Sequence, residues 1–286
     1  MPSESPAQPG VAAGAIASDS ASADRRQRIA LGIGYRGGAY HGWQSQADGR
    51  TVQDELERAL STFAAVPVRT VCAGRTDSGV HALNQVVHFD AQVEREPASW
   101  VRGTNRHLPF DIAVQWCLPV APNFSARNSA LGRRYCFLVL ESPVRPALEH
   151  GTCGWVFRPL DATAMRKSAA HLIGEHDFSA FRAAQCQALS PVKILRSLTI
   201  SRRGPYWRFE FDASAYLHHM VRNILGCLVA VGTGRQPPGW MAEVLASRSR
   251  KTAAPTFPPD GLYFVGPYYD GRHAIPTDTP AMHWLP

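Results

Sequence analysis

The sequence predicts an α+β fold made of two ferredoxin-like halves, with antiparallel or mixed sheets flanked by helices. Two observations carry this prediction. The order strand, helix, strand pair, helix, strand occurs twice along the chain. Short turns join the paired strands, which is typical of antiparallel pairs and not of a doubly wound parallel sheet. We expect the halves at residues 28–120 and 121–270, and a single shared sheet would accommodate both.

The first half is expected to follow a disordered tail. Residues 1–27 are rich in Ser, Ala, Pro and Gly and contain no aromatic residue, so they cannot bury enough apolar surface to fold. A strand begins at Arg28, and a helical spacing of apolar residues begins at Thr51. The other elements expected here are strands over residues 66–72 and 85–89, a helix over 98–106 and an extended segment over 111–117.

The second half repeats this order. A strand is expected over residues 134–140, and a helix opens at Asp161 with four apolar residues on one face: Met165, Ala169, Leu172 and Ile173. The other elements expected here are strands over residues 194–201, 206–212 and 262–267, a long helix over 215–231, a shorter helix over 239–247, and a tail over 271–286.

The composition excludes several classes of protein. Hydrophobic residues make up 45% and charged residues 19%, which is a globular composition. No run approaches the ~18 apolar residues of a membrane-spanning helix, and the first residues lack the basic start and apolar core of a secretory signal. Six widely spaced cysteines without a C-x-x-C pair favour reduced thiols. We therefore expect a cytoplasmic protein that does not contact a membrane.

The charge indicates an anionic partner. The chain has a net charge of +7, and only three of its 30 basic residues are Lys. Arg binds phosphate with two parallel hydrogen bonds and stacks on bases, so RNA is an attractive partner. A GC-rich genome would produce the same Arg bias without any functional meaning, and a basic enzyme with a small anionic substrate has the same net charge.

The stretch from Gly74 to Gly79 is the most informative in the chain. Two glycines bracket Arg75 and Asp77 between two predicted strands. Glycine permits a tight backbone turn, so the loop can present polar side chains from a rigid sheet edge. Asp77 could act there as a nucleophile or base, with Arg75 on a phosphate. The alternative is a plain hairpin whose Asp caps its own turn.

Six sequence blocks resemble the bacterial tRNA pseudouridine synthases of the TruA family, in order, over about residues 29 to 269. The resemblance implies the pseudouridine synthase fold and an isomerase that converts uridine to pseudouridine at positions 38, 39 and 40 in the anticodon arm of tRNA. The resemblance also implies a homodimer. It implies a reaction without cofactor or metal, because the atoms of the uridine are only rearranged. The blocks are YRGGAYHGWQSQ, TVQDELERAL, AGRTDSGVHALNQVVHFD, FSARNSALGRRYCF, GEHDFSAF and LHHMVRNILGCLVAVGTGR.

The resemblance also implies roles for five residues. Asp77 is the catalytic carboxylate, which attacks the ribose C1′ or assists elimination of uracil. Arg75 fills the space left by the flipped base or grips the adjacent phosphate. Tyr135 stacks on the target base, Arg222 pairs with the carboxylate, and Leu262 forms an apolar wall of the base pocket. The residues alone favour Tyr135 as a core side chain of the sheet and Arg222 on a solvated helix face, and a core leucine accounts for Leu262 almost equally well.

Two rival functions remain open. One is an RNA-binding or RNA-folding factor of the same fold without turnover, which the intact catalytic set argues against. The other is an enzyme for a small nucleotide, which the large basic surface disfavours. Phosphate contacts with RNA are expected from basic residues that are otherwise solvated charges: Arg102, Arg106, Arg133, Arg202, Arg203, Arg248, Arg250 and Lys251.

Metal chemistry is not expected from the histidines. His218 and His219 are adjacent, and on the predicted helix they would face different sides, which is poor geometry for sharing a metal. The stretch HLIGEH matches neither zinc-protease order of His and Glu. The zinc-deaminase signature and the nucleotide-binding G-x-x-x-x-G-K-[ST] motif are also absent.

Overall fold

Strands from both halves lie in one mixed sheet of ten strands in the computed structural model, which describes residues 27–276. The strands are β1 (Gln27–Tyr35), β2 (Val71–Cys72), β3 (His81–Ala91), β4 (Ile112–Pro119), β5 (Ala130–Glu141), β6 (Gly154–Val156), β7 (Gly174–Asp177), β8 (Val192–Arg203), β9 (Tyr206–Ala213) and β10 (Leu262–Tyr269). The helices are α1 (Val52–Ala64), α2 (Pro97–Asn105), α3 (Ala162–Ala170), α4 (Met220–Gly232) and α5 (Trp240–Ser247). The predicted α+β class is confirmed.

The two ends of the chain fall partly outside this description. The tail predicted over 1–27 is described only at Gln27, which begins β1, and residues 277–286 of the predicted C-terminal tail lie outside the described range. Residues 271–276 form a short 3-10 turn over Gly271–His273 and then bury Ile275.

The order of strands shows how the halves join. The first half supplies β4-β1-β3, and the second half continues the sheet as β10-β5-β9-β8-β7, with β2 beside β3 and β6 beside β5. The junction is the parallel pair β3–β10, which aligns Tyr263 with His81 and Phe264 with Ala82. The last strand of the chain therefore lies at the centre of the sheet, next to the strand that follows the Asp77 loop.

The first helix shows how sequence sets local structure. Thr51 caps α1, because its side chain accepts a hydrogen bond from the backbone N–H of Asp54. The acidic side chains of Asp54 and Glu55 in the first turn interact favourably with the positive end of the helix dipole. The predicted apolar face is buried, with Leu56 and Leu60 fully inaccessible to solvent.

Several predicted boundaries differ from the observed ones in the first half. The strand predicted over residues 66–72 is reduced to β2, because the preceding residues bond to α1: the Thr70 backbone N–H donates to Glu57 Oε1 at 2.8 Å. The strand predicted from residue 85 begins at His81, a buried polar residue whose Nδ1 accepts from the Gly37 backbone N–H at 3.0 Å. The apolar pattern therefore did not indicate the start of β3, because the strand begins with a buried polar side chain that has a hydrogen-bond partner.

In the second half, two helix boundaries differ with consequences for side-chain position, and β6 and β7 were not predicted. The predicted long helix begins at Met220 instead of residue 215, because His219 adopts a left-handed backbone with φ 63°. Ile173 was predicted on the buried face of α3, but the helix ends at Ala170 and Ile173 is exposed. The chain turns away from the helix axis before that side chain can reach the core.

The core consists of two main apolar clusters that meet near the site. One packs α1 and α2 on the first-half strands, and the other packs α3, α4 and α5 on the second-half strands. Tyr135 on β5 contacts both clusters. Because side chains alternate along a strand, its neighbour Cys136 belongs to a third cluster. Tyr135 thus marks the place where the cores of the two halves come together.

Two further observations concern the helices and the cysteines. In residues 27–276, no helix has both the length and the apolar character needed to cross a bilayer. The six cysteines of the chain are all unpaired.

Candidate active site

The loop of residues 73–80 connects β2 to β3 and carries Asp77. Its backbone is held by two contacts at Thr76. The Thr76 hydroxyl lies 2.8 Å from the Tyr35 hydroxyl, and the Thr76 carbonyl accepts a hydrogen bond from the Trp43 backbone N–H at 3.1 Å. Thr76 is itself buried. The residue before the candidate catalytic carboxylate is therefore fixed to the first-half core.

Two glycines allow neighbouring chain segments to approach this loop. Gly42 has φ 89°, and a Cβ there would lie 2.7 Å from the Thr76 carbonyl oxygen. Gly79 has φ 82°, and a Cβ there would lie 2.8 Å from the Pro259 ring. L-residues with side chains rarely adopt this backbone, so glycine is required at both places for the loop to keep its position.

Three nitrogen atoms surround the Asp77 carboxylate. Arg222 Nη1 on α4 donates to Asp77 Oδ2 at 3.1 Å. His218 Nε2 lies 3.3 Å from Oδ1, and His219 Nε2 lies 3.5 Å from Oδ2. These three residues belong to the second half, whereas Asp77 belongs to the first. The arrangement therefore forms only where the two halves meet.

These neighbours set the charge of the carboxylate. Burial alone would raise the pKa of Asp77, but the hydrogen bond from His218 and the nearby charges of His219 and Arg222 outweigh it and lower the pKa below its ordinary value. Burial lowers the pKa of His219 despite the nearby carboxylate. At neutral pH Asp77 is consequently an anion beside a neutral His219 ring, and the charge of His219 acts only in the acidic range where Asp77 titrates.

The turn before α4 aims both histidines at Asp77. The His218 backbone N–H donates to Cys186 Sγ at 3.3 Å, and its carbonyl accepts from the Ala183 N–H at 3.0 Å. His219 takes the left-handed backbone, and the two rings lie 4.0 Å apart. The expectation that the histidines face different sides of a helix is therefore wrong, because both precede the helix.

Arg222 is fixed along its whole length. Its Nε donates to the Phe257 carbonyl at 2.9 Å, and its own carbonyl accepts from the Phe257 N–H at 3.2 Å. Its side chain is 14% exposed, so it does not lie on a solvated helix face. This double attachment leaves Nη1 directed at Asp77.

Tyr135, on β5, lies close enough to Asp77 for the charge of the carboxylate to act on its phenol. Its half-buried ring packs edge-on against Tyr216, with centroids 5.0 Å apart, and lies 4.9 Å from Phe264. Burial raises the pKa of Tyr135, and the charge of Asp77 raises it further. The phenol is therefore protonated at neutral pH and can donate a hydrogen bond.

Asp77 and its two histidine neighbours form the one group of metal-capable side chains found in residues 27–276. Asp77, His218 and His219 each offer a ligand atom, and these atoms lie within 4.8 Å of one another. Two imidazoles and a carboxylate suit a transition metal. However, the Arg222 guanidinium lies 3.1 Å from the same carboxylate. Its positive charge opposes a second cation at this place.

Comparison with known proteins identifies the family. The sequence matches the family model described as tRNA pseudouridine synthase over residues 33–127 and 168–270. The chain belongs to this family. It is 71% identical to tRNA pseudouridine synthase A of Methylibium petroleiphilum and 65% identical to that of Polaromonas naphthalenivorans, in both cases covering 91% of this chain and 100% of the relative. It is 61% identical to that of Variovorax paradoxus, covering 88% of this chain and 94% of the relative.

The remaining site candidates occupy different surroundings in this tRNA pseudouridine synthase family member. Arg75 is exposed and has no side-chain hydrogen bond or ion pair with any residue that the structure describes. Leu262 is 3% exposed and belongs to the second-half core cluster, together with Val221 and Phe257. The structure thus brings Asp77, Arg222 and Tyr135 together, leaves Arg75 in solvent and buries Leu262.

Sequence reasoning missed three residues that this tRNA pseudouridine synthase family member places at the site. His218 and His219 lie in a predicted block, but the helical interpretation separated their rings. Phe264 lies two positions after Leu262 on β10 and therefore on the same side of the strand. Since Phe264 pairs with Tyr135 in the sheet register, strand alternation was the signal that could have found it.

Proposed function

We propose that this isomerase of the tRNA pseudouridine synthase family acts on uridines 38, 39 and 40 of the anticodon arm, with Asp77 as its catalytic residue. The observation that supports the site most directly is the Asp77–Arg222 pair at 3.1 Å. It presents an ionised carboxylate at the meeting point of the two halves. The intact set argues against a factor without turnover, since Asp77 and Arg222 are fixed and partly buried.

The reaction explains why such a carboxylate is needed. Isomerisation breaks the bond between N1 and the ribose C1′, turns the uracil and joins C5 to C1′. The C5 proton is released and N1 takes up a proton, so that the atoms balance. An ionised Asp77 is competent to attack C1′ or to remove a proton. Arg222 keeps it in that form. We assign the protonated Tyr135 phenol to contact with the uracil and Leu262 to the apolar wall behind it.

The target base must leave the RNA stack to reach the carboxylate. We assign Arg75 to the gap that the base leaves or to the adjacent phosphate, since Arg75 is exposed on the Asp77 loop and makes no side-chain hydrogen bond or ion pair among the described residues. This exposed position leaves the Arg75 guanidinium available to bind RNA.

The other basic residues divide into two groups. Arg133 donates to the carbonyls of Ala73 and Arg127, so its role is to join chain segments. Arg202 is paired with Glu141. Arg106 and Arg203 are exposed and are better phosphate candidates. We expect tRNA affinity to fall as salt rises, because phosphate contacts release counterions.

The homodimer and the cytoplasmic location are also proposals. Exposed apolar side chains in one segment, Val144, Leu148 and Phe157, are compatible with self-association. The six unpaired cysteines suit a reducing compartment. Sedimentation of the purified protein at several concentrations tests the dimer, and a single species with the mass of one chain would contradict it.

Tritium release tests the reaction. Unmodified tRNA carrying tritium at uridine C5 is incubated with wild type, Asp77→Asn and Asp90→Asn. Asp90 is a matched control because it is also paired with an arginine, Arg28, but is exposed and on another part of the sheet. We expect release by wild type and Asp90→Asn only, with tRNA binding retained by Asp77→Asn.

Substrate position is tested with three tRNA variants that each keep one uridine among positions 38, 39 and 40. Release from uridines elsewhere would contradict the position. Binding without release by wild type would favour the factor without turnover, and turnover of free UMP would favour the small-nucleotide enzyme.

A further inference from the structure

We propose that His218 and His219 are positioning residues that hold both oxygens of the Asp77 carboxylate in one orientation for attack, an inference that rests on the proposed function of Asp77. They act through Asp77 and are not assigned contact with the uridine. Arg222 alone does not provide this orientation, because it bonds only Oδ2.

The contacts divide the two oxygens between different donors. His218 Nε2 is the neighbour of Oδ1 at 3.3 Å, and His219 Nε2 joins Arg222 at Oδ2 at 3.5 Å. A carboxylate bonded at one oxygen can still rotate about its Cβ–Cγ bond, whereas one bonded at both cannot. His218 and Arg222 therefore act on different oxygens of the carboxylate, and His219 adds a second contact at Oδ2.

The backbone around the histidines supports a role beyond packing. His219 has φ 63°, a conformation that is unfavourable for residues with side chains and that clusters at functional sites. At the start of α4 it directs the His219 ring back to the loop instead of along the helix. His218 is anchored on both sides of its Cα, by Cys186 and Ala183. Two separate constraints therefore aim two adjacent rings at one carboxylate.

The neutral state of a histidine suits this task. Burial lowers the pKa of His219, so at neutral pH its ring can orient Asp77 with an N–H group without adding a second positive charge. Arg222 already supplies the charge that keeps Asp77 ionised. Orientation and charge are thereby supplied by different side chains.

His219→Gly separates these roles from folding. Glycine adopts a left-handed backbone readily, so the variant removes the ring without straining the turn, and its stability should match or exceed wild type. We expect kcat to fall roughly 10- to 100-fold, the loss expected for a hydrogen bond to a charged group, with KM for tRNA unchanged. His219→Gln and His218→Gln, which keep an N–H donor, should recover most of the kcat lost in His219→Gly and His218→Ala.

Ala65→Gly is the matched control. Ala65 also has a left-handed backbone, φ 58°, but lies at the end of α1. It should gain stability in the same way and keep full activity. If His219→Gly and His218→Ala keep wild-type kcat while wild type is active, the inference is wrong and the proposed function stands. If KM rises and kcat does not change, the histidines bind RNA, which also overturns the inference. If wild type itself releases no tritium, the proposed function fails.

Discussion

The pairing of Arg222 with Asp77 should appear as an energetic coupling between the two halves of the protein. The proposed perturbation is Arg222→Met, which keeps much of the side-chain volume but removes the charge. At 3.1 Å, two unit charges attract by about 5 kcal/mol at an effective dielectric constant of about 20. Breaking a buried pair costs about 3–5 kcal/mol. Here His218 and His219 remain beside the carboxylate, so we expect a pair-specific cost of about 2 kcal/mol.

Arg222 has a second contact that must be subtracted. Its hydrogen bond to the Phe257 carbonyl is lost in Arg222→Met whatever stands at position 77, at a cost of about 1 kcal/mol. The same substitution should therefore cost about 3 kcal/mol in wild type but about 1 kcal/mol in Asp77→Asn, because the neutral amide does not need the guanidinium. The difference between these two costs is the coupling energy.

Equilibrium unfolding in urea of wild type, both single variants and the double variant measures the coupling. The slope m should be equal in all four, so that the midpoints report stability. In a protein of this size, the loss in Arg222→Met corresponds to a fall in Tm of roughly 6–12 °C. Costs of Arg222→Met that agree within about 0.5 kcal/mol in the two backgrounds would mean that the charges do not stabilise each other, and the reasoning would be refuted.

Three further predictions concern the same loop. Gly42→Ala should lower the free energy of unfolding by about 1–3 kcal/mol and reduce tritium release, because the new Cβ would meet the Thr76 carbonyl. Gly38→Ala should change neither quantity, because a Cβ at Gly38 would enter open space. Since the neighbours of Asp77 lower its pKa, the ionised carboxylate stabilises the protein above about pH 4, and this stabilisation is lost as pH falls through the lowered pKa. The free energy of unfolding, measured from pH 8 to pH 3, should therefore fall below about pH 4 in wild type relative to Asp77→Asn. Parallel curves for the two proteins would contradict the lowered pKa. Arg75→Ala should keep wild-type stability but bind tRNA more weakly, with a salt slope smaller by about 1; unchanged binding would remove Arg75 from the RNA interface.

The sequence predicted the elements whose signals are local. The helical spacing of apolar residues from Thr51 predicted α1, and the turn at residues 202–205 predicted the paired strands β8 and β9. The family, fold class and reaction type followed from motif blocks, and the comparisons confirm them. Local signals could not predict that β10 would enter the sheet between β3 and β5, because strand pairing over such distances depends on the packing of the whole chain.

The histidines show a second limit of sequence reasoning. Residues 215–231 have a continuous helical spacing, and nothing local interrupts it before Met220. The left-handed backbone at His219 accompanies two long-range contacts, His218 with Cys186 and His219 with Asp77, which join residues 32 and 142 positions apart. Strain of this kind persists where surrounding structure imposes it. The helix predicted from apolar spacing therefore extended over His218 and His219, although both residues precede the observed helix.

The Asp77–Arg222 pair depends on the last strand of the sheet, although neither residue lies on it. Arg222 is bonded twice to Phe257, in the segment that leads into β10. Pro259, two residues later, packs against Gly79 in the Asp77 loop, and β10 then pairs with β3, the strand that follows this loop. One segment thus fixes Arg222 on one side and the loop on the other. Because these contacts join residues from opposite halves, the 3.1 Å distance between the carboxylate and the guanidinium depends on the position of the segment that leads into the final strand.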